Sequence, residues 1–570
     1  MPEPAVTVII DGKEVQVPKR TLVIEAATLA GIEIPIFCYH PKLNPVGACR
    51  MCLVDIEKMP RLQTACTTPV AEGMIVHSRN DKARAAQKGV IELLLANHPL
   101  DCPICDKGGE CPLQDNTFKY GLGASRFVEP KRKLAKALPL SDRIVLDRER
   151  CIMCYCCVRF QDEIAGDQAL SAIDRAGTSQ IGVLEGDTFD SPFSGNTIDL
   201  CPVGALLSRQ YRFRARPWDL QRTPSVCVGC AVGCNMELHA RDQALQRMVP
   251  RENMAINNEW LCDRGRFDSL PLGAQRVRQP LVNGATVSWE EALRAAALLL
   301  REPSVEVVAS PSLTNEATNA LRLMAGGLGA ALSVWPAKIG RVRGTIADLV
   351  GSKTIILLDL DVWSELPVLA LRIREALKQG ARLYFVGSKP NGLRRDTTAS
   401  YMTSGALLAA LNGSPAGPVS VLGRGAEDVA QRLEASGMIG QPPTAANGYA
   451  AADLPAARFE SDVLLLVGDE AWPIRGAGDE KRETGPQSVV SLRWSAHSSP
   501  VSHDSQLVVL PITHPYEQSG TVTNLEGRVQ ELRAGGKRAG EARADWLAVT
   551  DLARALGLSA VPEEEQAALA

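Results

Sequence analysis

The cysteines of this chain come in short groups, and none follows Cys262. The sequence has 570 residues and 16 cysteines, most of which are separated by only two or three residues. Cysteines that staple a small secreted domain are spread through the chain, whereas metal ligands cluster in short loops. The pattern therefore predicts metal centres in a reducing compartment, confined to the first half of the chain.

Composition narrows the class further. Hydrophobic residues make up 45% and charged residues 22%, which is globular, and a net charge of -3 provides no basic field for nucleic acid. No apolar stretch reaches the roughly 18 to 20 residues that cross a bilayer, and the first residues lack a secretory signal. We therefore expect a soluble protein of several domains that stays in the cytoplasm, without nucleic acid partners.

The first residues alternate between apolar and polar. Strands are predicted at residues 6–10 and 14–17, joined by a turn at Asp11 and Gly12, and a helix is predicted from Thr21 to a stop at Gly31. This order predicts a small β-grasp unit. A further helix is predicted over residues 81–97, directly before the next cysteines.

The second half has a different rhythm. Apolar strands at residues 305–309, 354–358, 382–386 and 463–467 alternate with helical segments such as 366–378. This alternation predicts parallel βαβ units. Residues 412–458 are rich in Gly, Pro and Ala, and are predicted to form loops with one short helix near 427–436.

The first group consists of Cys38, Cys49, Cys52 and Cys66, spaced C-x10-C-x2-C-x13-C. Three thiolates from one loop and a fourth further on suit a [2Fe-2S] cluster, as in plant-type ferredoxins with a longer first gap. A structural zinc site with four cysteine ligands is the alternative.

The second group consists of His98, Cys102, Cys105 and Cys111, spaced H-x3-C-x2-C-x5-C. Three thiolates and one imidazole can hold a [4Fe-4S] cluster, and a neutral imidazole in place of a thiolate removes one negative charge from the site. Zinc held by the same four residues is again the alternative.

The third group consists of Cys151, Cys154, Cys157 and Cys201. A C-x2-C-x2-C run with a remote Cys-Pro is half of the bacterial ferredoxin arrangement, and predicts a [4Fe-4S] cluster. Cys156 falls outside this spacing, and the sequence assigns it no role.

The fourth group consists of Cys227, Cys230, Cys234 and Cys262, spaced C-x2-C-x3-C-x27-C. It also predicts a [4Fe-4S] cluster, with zinc as the alternative because a C-x2-C start is common to both. Together the four groups use all the cysteines except Cys156. Unrelated structural thiols would not be expected to fall so completely into ligand groups.

These motifs identify a family. FCYHPKLNPVGACRMC, NHPLDCPICDKGGECPLQD, CIMCYCC and FSGNTIDLCPVGAL resemble, in residue type and order, the large iron-sulfur subunit, of the G type, of NADH:quinone oxidoreductase, respiratory complex I. The resemblance spans essentially the whole chain. It implies one binuclear cluster in the first group and tetranuclear clusters in the other three, the fourth lying aside from the main electron path.

The same resemblance implies the function. Electrons would enter from a flavin-bearing, NADH-oxidising subunit and leave through other iron-sulfur subunits toward quinone, while the whole complex couples this transfer to proton translocation. The chain would have no catalytic residues of its own and would bind neither nicotinamide nor flavin. It would belong to a hetero-oligomer at the inner face of the cell membrane and contact the membrane only through that complex.

The second half resembles the molybdopterin oxidoreductase fold. In catalytic relatives a Lys after the last cluster cysteine contacts the pterin, whereas this sequence has Arg264, and no cysteine remains downstream to bind molybdenum. We therefore expect a shortened, degenerate domain without molybdopterin. A working molybdopterin enzyme such as the formate dehydrogenase alpha subunit is the alternative function, and an iron hydrogenase or a zinc-bound scaffold is less favoured.

The predicted architecture is multidomain, with α/β and α+β parts. Its domains are a [2Fe-2S] ferredoxin-like β-grasp domain (1–80), a His- and Cys-ligated [4Fe-4S] domain (81–140), a [4Fe-4S] ferredoxin-like domain (141–219), a molybdopterin-oxidoreductase-type [4Fe-4S] domain (220–275) and the degenerate α/β domain (276–570).

Other conspicuous residues have plainer interpretations. His497, His503 and His514 lack acids or thiols at ligand spacing, which favours surface or hydrogen-bonded structural roles. The basic run at 131–136 is interpreted as a solvated face, a salt-bridged linker or a docking surface. The run at 209–222 carries three aromatic residues and is the better interface candidate.

Overall fold

The computed structural model describes residues 4–184, 187–271, 275–336, 340–388, 392–411, 415–469, 486–496 and 506–558. The chain divides into two compact units, the first ending at Leu220 and the second beginning at Gln221. In the described ranges, no helix combines the length and the apolar character needed to cross a membrane.

A five-stranded sheet and one helix open the first unit. In spatial order its strands are Lys13–Pro18, Ala5–Ile10, Met74–His77, Leu53–Ile56 and Gln63–Thr64. The first two are antiparallel and joined through Asp11 and Gly12, which both have positive φ, while Ala5–Ile10 and Met74–His77 are parallel. Helix Val23–Leu29 buries its apolar side in the same core. The predicted β-grasp unit is therefore confirmed.

The rest of the first unit consists of short elements joined by loops. Its α-helices are Asp81–Asn97, Pro112–Tyr120, Cys156–Arg159 and Asn196–Leu200, and a π-helical turn spans Phe160–Ala165. The 3-10 turns are Cys102–Ile104, Arg148–Arg150, Ala176–Thr178 and Pro217–Asp219. The small sheets are Leu206–Ser208, Ile144–Leu146 and Leu138–Pro139, and the pair Ser171–Ile173 and Gln180–Gly182. The predicted helix over 81–97 is confirmed, and the Asn80 side chain caps it by accepting a hydrogen bond from the Ala83 amide.

An antiparallel meander opens the second unit. Its strands are Gln221–Val226, Asn235–Arg241 and Ala244–Pro250. The turn between the first two carries three cysteines of the fourth group. A π-helical turn at Arg264–Asp268 follows the fourth cysteine, Cys262.

Two separate sheets build the α/β part. The seven-stranded sheet runs, in spatial order, Ala285–Thr286, Leu281–Val282, Gln506–Pro511, Ser488–Arg493, Val463–Val467, Val305–Ala309 and Ala331–Val334. The six-stranded sheet runs Arg341–Arg343, Ile439–Gln441, Val419–Gly423, Thr354–Leu358, Arg382–Val386 and Ala399–Tyr401. The central strands of both sheets are parallel, as predicted. Parallel strands that are buried on both faces have nearly continuous apolar sequences, and for this reason these strands could be predicted from the sequence.

Helices cover these sheets. They are Trp289–Leu299, Asn315–Leu328, Ile346–Gly351, Val362–Glu365, Pro367–Lys378, Ser404–Leu411, Ala426–Arg432 and Asp545–Ala555, with 3-10 turns at Arg394–Asp396 and Pro515–Glu517. A two-stranded ribbon of Gly520–Thr523 and Val529–Leu532 completes the unit.

The prediction of mostly loops over 412–458 is wrong for part of that stretch. Strand Val419–Gly423 is wholly buried and pairs in parallel with Thr354–Leu358 on one side and with Ile439–Gln441 on the other. Ser420 and Gly423 hide the strand in the sequence because they interrupt its apolar pattern. The Ser420 hydroxyl shares a 2.8 Å hydrogen bond with Ser352, which satisfies it inside the core.

Leu465 provides a test of the α/β core. Its side chain is fully buried in the central strand Val463–Val467, so we expect Leu465→Ala to lower the free energy of unfolding by about 2–5 kcal/mol. Leu298→Ala, at a helix position that is 69% exposed, should change it by less than about 0.5 kcal/mol. Urea unfolding of the full chain measures both. Equal effects of the two variants would contradict this core.

Candidate metal centres

The first group lies at the edge of the β-grasp sheet. Cys38, Cys49, Cys52 and Cys66 are all buried, and the last two belong to the core of the sheet itself. The Cys49 amide donates to Cys38 Sγ at 3.4 Å. Hydrogen bonds from the Cys49 and Cys66 thiols lower the pKa of Cys38, which favours a thiolate there. The structure thus brings the four predicted thiols of this group together.

The second group surrounds a cavity. Four element ends meet there: His98 follows helix Asp81–Asn97, Cys102 and Cys105 border a 3-10 turn, and Cys111 caps helix Pro112–Tyr120. All four side chains line one cavity of about 210 Å³. A single cavity lined by every predicted ligand of one group is the strongest spatial agreement between the sequence and the structure.

The burial and charge state of His98 suit a metal ligand. Its Nδ1 atom is buried and makes no hydrogen bond. Burial, together with the positive charges of Arg150 and Lys131, lowers the pKa of His98 to about 4. The imidazole is therefore neutral at physiological pH, which is the form that binds metal. A buried nitrogen without a partner is costly unless a ligand satisfies it.

Gly204 forms a crowded part of the same cavity wall. A Cβ atom on Gly204 would lie 2.1 Å from Cys105 Sγ, so only glycine allows this approach. Arg150 also lines the cavity, and its guanidinium donates to the Gly204 carbonyl at 3.3 Å. It forms ion pairs with Asp101 at 2.9 Å and with Asp147 at 3.3 Å. A buried, paired cation therefore lies beside the predicted cluster site.

The third group depends on a tightly wound loop. Met153 and Tyr155, between its cysteines, have φ of 51° and 62°, a left-handed conformation that is unusual for such residues. Cys201 follows helix Asn196–Leu200. A hydrogen bond with Cys156 and burial raise the pKa of Cys154, and burial raises that of Cys157. The charge of Cys201 adds to both shifts, which places these thiols in one neighbourhood.

The fourth group closes the turn of the meander. Cys227, Cys230, Cys234 and Cys262 are all buried, and the Cys227 amide donates to the Cys234 carbonyl at 2.8 Å. Burial raises the pKa of Cys227 to about 11. A Cβ on Gly265 would lie 2.8 Å from Cys227 Sγ, so the backbone approaches the sulfur closely. The guanidinium of Arg264 donates to the Glu365 carbonyl at 2.7 Å and interacts with the Cys230 and Cys262 thiols.

Among the described residues, no group of three or more His, Cys, Asp and Glu side chains is placed to hold a single metal ion.

The sequence did not predict the Lys and Arg side chains that donate hydrogen bonds to the backbone of these loops. Arg216 of the basic run 209–222 donates to the Cys105 carbonyl, and Lys131 of the run 131–136 donates to the Leu95 carbonyl. Both contacts hold backbone beside the second group. Arg150, Arg159 and Gly204 were also missed, since nothing in their sequence spacing distinguishes them.

A larger cavity of about 470 Å³ lies in the second unit. It opens at the carboxyl ends of parallel strands, where α/β sheets bind ligands. Its described lining includes Asp268, Asp469 and Asp545 but no Lys or Arg. In the sequence, no cysteine follows Cys262 to bind molybdenum.

His514 lines this second cavity and makes the structural hydrogen bond predicted for it. The ring is 5% exposed, and its Nδ1 accepts a hydrogen bond from the Tyr516 amide at 3.2 Å. Burial and the charge of Arg276 lower its pKa to about 3. The other two noted histidines, His497 and His503, lie outside the described residues.

Five segments of the chain match known protein families. Residues 3–81 match a 2Fe-2S iron-sulfur cluster binding domain, and residues 87–126 match the NADH-ubiquinone oxidoreductase-G iron-sulfur binding region. Residues 141–207 match the ferredoxin-like domain of NADH-quinone oxidoreductase subunit 3, and residues 220–269 match an NADH-ubiquinone oxidoreductase NDSU1/NuoG-like 4Fe-4S domain. Residues 504–555 match molybdopterin oxidoreductase. The fold and these matches together define an iron-sulfur protein.

Relatives place it within that class. The 78 kDa subunit of mitochondrial NADH-ubiquinone oxidoreductase from Candida albicans is 33% identical over 97% of this chain and 82% of its own length. The chain therefore belongs to the family formed by this 78 kDa subunit and the bacterial G subunit of NADH-quinone oxidoreductase. The G subunit from Streptomyces coelicolor is 49% identical over 52% of this chain, and that from Mycobacterium tuberculosis is 39% identical over 66%.

The shared part is only a portion of some relatives. The matches span 36% of the Streptomyces protein and 50% of the Mycobacterium protein. A chain of an NAD+-reducing [NiFe]-hydrogenase, solved in the H2-reduced state, is 30% identical over 37% of this chain and 90% of its own, with a TM-score of 0.33, too low to support a statement about fold.

His514 predicts a pH dependence. Because its pKa is about 3 in the folded chain and about 6.5 when unfolded, the unfolded state binds more protons between these values. Its contribution to stability is therefore present above pH 6.5 and is lost as pH falls toward 3. His514→Asn keeps an oxygen that can accept the Tyr516 amide, so it should lose less stability on acidification than the unmodified chain.

Urea unfolding at about pH 7.5 and about pH 5 measures this difference. Leu298→Ala, at an exposed helix position of the same unit that carries no titratable group, is the control and should retain the slope of the unmodified chain. An unchanged slope in His514→Asn would show that the buried ring is not the group responsible.

Proposed function

We propose that this chain is an electron-relay subunit in the peripheral arm of NADH:quinone oxidoreductase. In this role it carries electrons from the flavin-bearing, NADH-oxidising subunit through iron-sulfur clusters toward quinone, and the whole complex couples the transfer to proton translocation. The chain has no substrate-converting site of its own. The observation that carries the proposal is the cavity lined by His98, Cys102, Cys105 and Cys111.

Four clusters are proposed, one per group and each in its own small domain. A [2Fe-2S] cluster would be held by Cys38, Cys49, Cys52 and Cys66 in residues 1–80. The [4Fe-4S] clusters would be held by His98, Cys102, Cys105 and Cys111 in residues 81–140, by Cys151, Cys154, Cys157 and Cys201 in residues 141–219, and by Cys227, Cys230, Cys234 and Cys262 in residues 220–275. Such clusters supply reversible one-electron transfer when bound.

The chain's own groups prepare these sites. Partial burial of Cys151 and full burial of Cys227 raise the pKa of each thiol to about 11, so both hold their protons at neutral pH until metal displaces them. Cluster binding must therefore release protons, which makes it pH-dependent. At the second site the proton is already absent from His98. One imidazole and three thiolates then give a less negative ligand set than four thiolates.

Arg150 adjusts the second site further. Its side chain is 4% exposed and lines the cavity, so water screens its charge poorly. A nearby cation stabilises the more negative, reduced state and raises the reduction potential. The carboxylates of Asp101 and Asp147 offset part of that charge. This balance supports a site tuned for electron transfer over one that is only structural.

We propose that the chain works in a hetero-oligomer with the flavin-bearing subunit and other iron-sulfur subunits, at the cytoplasmic face of the cell membrane. Membership of the family supports a multisubunit complex. The fourth cluster lies, on this proposal, aside from the main electron path, and residues 276–570 are a scaffold that has lost molybdopterin.

Metal analysis tests the proposal. Anaerobically purified full-length chain should contain about 14 iron ions and a similar amount of acid-labile sulfide, the content of one binuclear and three tetranuclear clusters. Electron paramagnetic resonance after dithionite reduction should resolve both cluster types. Molybdenum or tungsten in stoichiometric amount would favour the molybdopterin enzyme, and a colourless, zinc-filled protein would rule out the relay.

Gly204 tests the second site separately. In Gly204→Ala the new methyl group would overlap Cys105 Sγ, so we expect about four iron ions per chain to be lost while the other clusters remain. Gly177→Ala is the matched control, because a Cβ there has no atom within 4 Å. Full iron content in Gly204→Ala would contradict the assignment of Cys105 to this cluster.

A further inference from the structure

Residues 156–165, at the end of the CIMCYCC motif and just after it, are hydrogen-bonded to the loop of residues 37–44. Helix Cys156–Arg159 and the π-helical turn after it make these hydrogen bonds. The Glu163 carboxylate accepts a hydrogen bond from the Asn44 amide at 2.7 Å. The two segments carry predicted ligands of different groups, Cys157 of the third and Cys38 of the first.

Arg159 makes the central contacts. Its Nη2 donates to the carbonyl oxygen of Cys38, and its Nη1 donates to the carbonyl oxygen of Asn44. The same Nη2 lies 3.6 Å from Cys156 Sγ. The planar guanidinium thus spans two carbonyls of one loop from a helix of the other, which a flexible ammonium does less well.

Cys156 gives this contact a second anchor. It is the cysteine left over when the four ligand groups are assigned, and it is buried. Its thiol donates to the carbonyl oxygen of Phe37 at 3.5 Å and accepts from Arg159. Cys156 is bonded to Cys157, and Phe37 to Cys38, so the contact joins the direct neighbours of two ligands.

We infer that Arg159 is a positioning residue that fixes the first cluster site against the third and raises the reduction potential of the first. The inference rests on the proposed function. Arg159 acts through the Cys38 carbonyl and through Cys156. Its positive charge, held on the backbone of a cluster ligand, favours the reduced state there.

Substitution of Arg159 in the full chain tests this role. Arg159→Gln removes the positive charge and the planar pair of donors. We expect the equilibrium constant for reduction of the first cluster to fall about tenfold, which lowers its midpoint potential by about 59 mV for one electron. It should also change the magnetic interaction between the first and third clusters in the reduced protein. A redox titration followed by electron paramagnetic resonance measures both.

Arg159→Lys separates charge from geometry. It keeps the positive charge, so the equilibrium constant for reduction of the first cluster should stay within threefold of that of the unmodified chain. Loss of the planar guanidinium with its two donors should still alter the magnetic interaction. Arg175→Gln is the control, since it removes an exposed arginine from the same unit and should change neither quantity.

The outcomes are distinct. If Arg159→Gln weakens or loses the first cluster's signal while the third remains, and Arg159→Lys restores it, positioning is supported. If Arg159→Gln keeps full iron with unchanged potential and magnetic interaction, or loses all clusters equally, the inference is overturned. Failure of the proposed function would appear earlier, as a parent protein without iron or paramagnetic signals.

Discussion

Burial of sulfur without a covalent partner is the constraint on which the metal-binding parts of this molecule depend. Every cysteine except Cys102 and Cys151 is buried, and all are free thiols. Burial opposes ionisation, so thiolates are unfavourable there unless a metal centre compensates their charge. Folding of these loops and binding of metal are therefore linked. The same need explains why ligands such as His98, Cys111 and Cys201 lie at the ends of helices, where the surrounding core holds them.

Loops wound this tightly leave many carbonyl oxygens without secondary-structure partners, and long cationic side chains satisfy them. Arg216 reaches the Cys105 carbonyl, Arg150 the Gly204 carbonyl and Arg159 the Cys38 carbonyl. Each contact does two things at once. It completes the hydrogen bonding that buried backbone requires, and it places a positive charge close to ligands that carry negative charge. On the proposed function, the same residues set both the structure of these loops and their electron affinity.

The two α/β sheets of the second unit follow a different principle. Their central strands are buried on both faces between helices, so packing of apolar side chains stabilises them. The predicted strands at 305–309 and 463–467 lie in one sheet, whereas those at 354–358 and 382–386 lie in another. All four look alike in the sequence because burial on both faces gives the same apolar run, and only the order of pairing distinguishes their sheets. The strand Val419–Gly423 was missed because Ser420 and Gly423 interrupt such a run.

The sequence by itself determined which class of protein this is and predicted the four ligand groups, since ligand spacing is a local property of the chain. It also located the β-grasp strands, the helix at Asp81–Asn97 and the parallel strands, because their apolar periods are local too. Only the tertiary structure decided that His98 faces the same cavity as three cysteines, that Gly204 packs against Cys105, and that Arg159 and Cys156 join two loops. The last two contacts connect residues about 100 or more positions apart, and no local pattern encodes which distant backbone oxygen a side chain will meet.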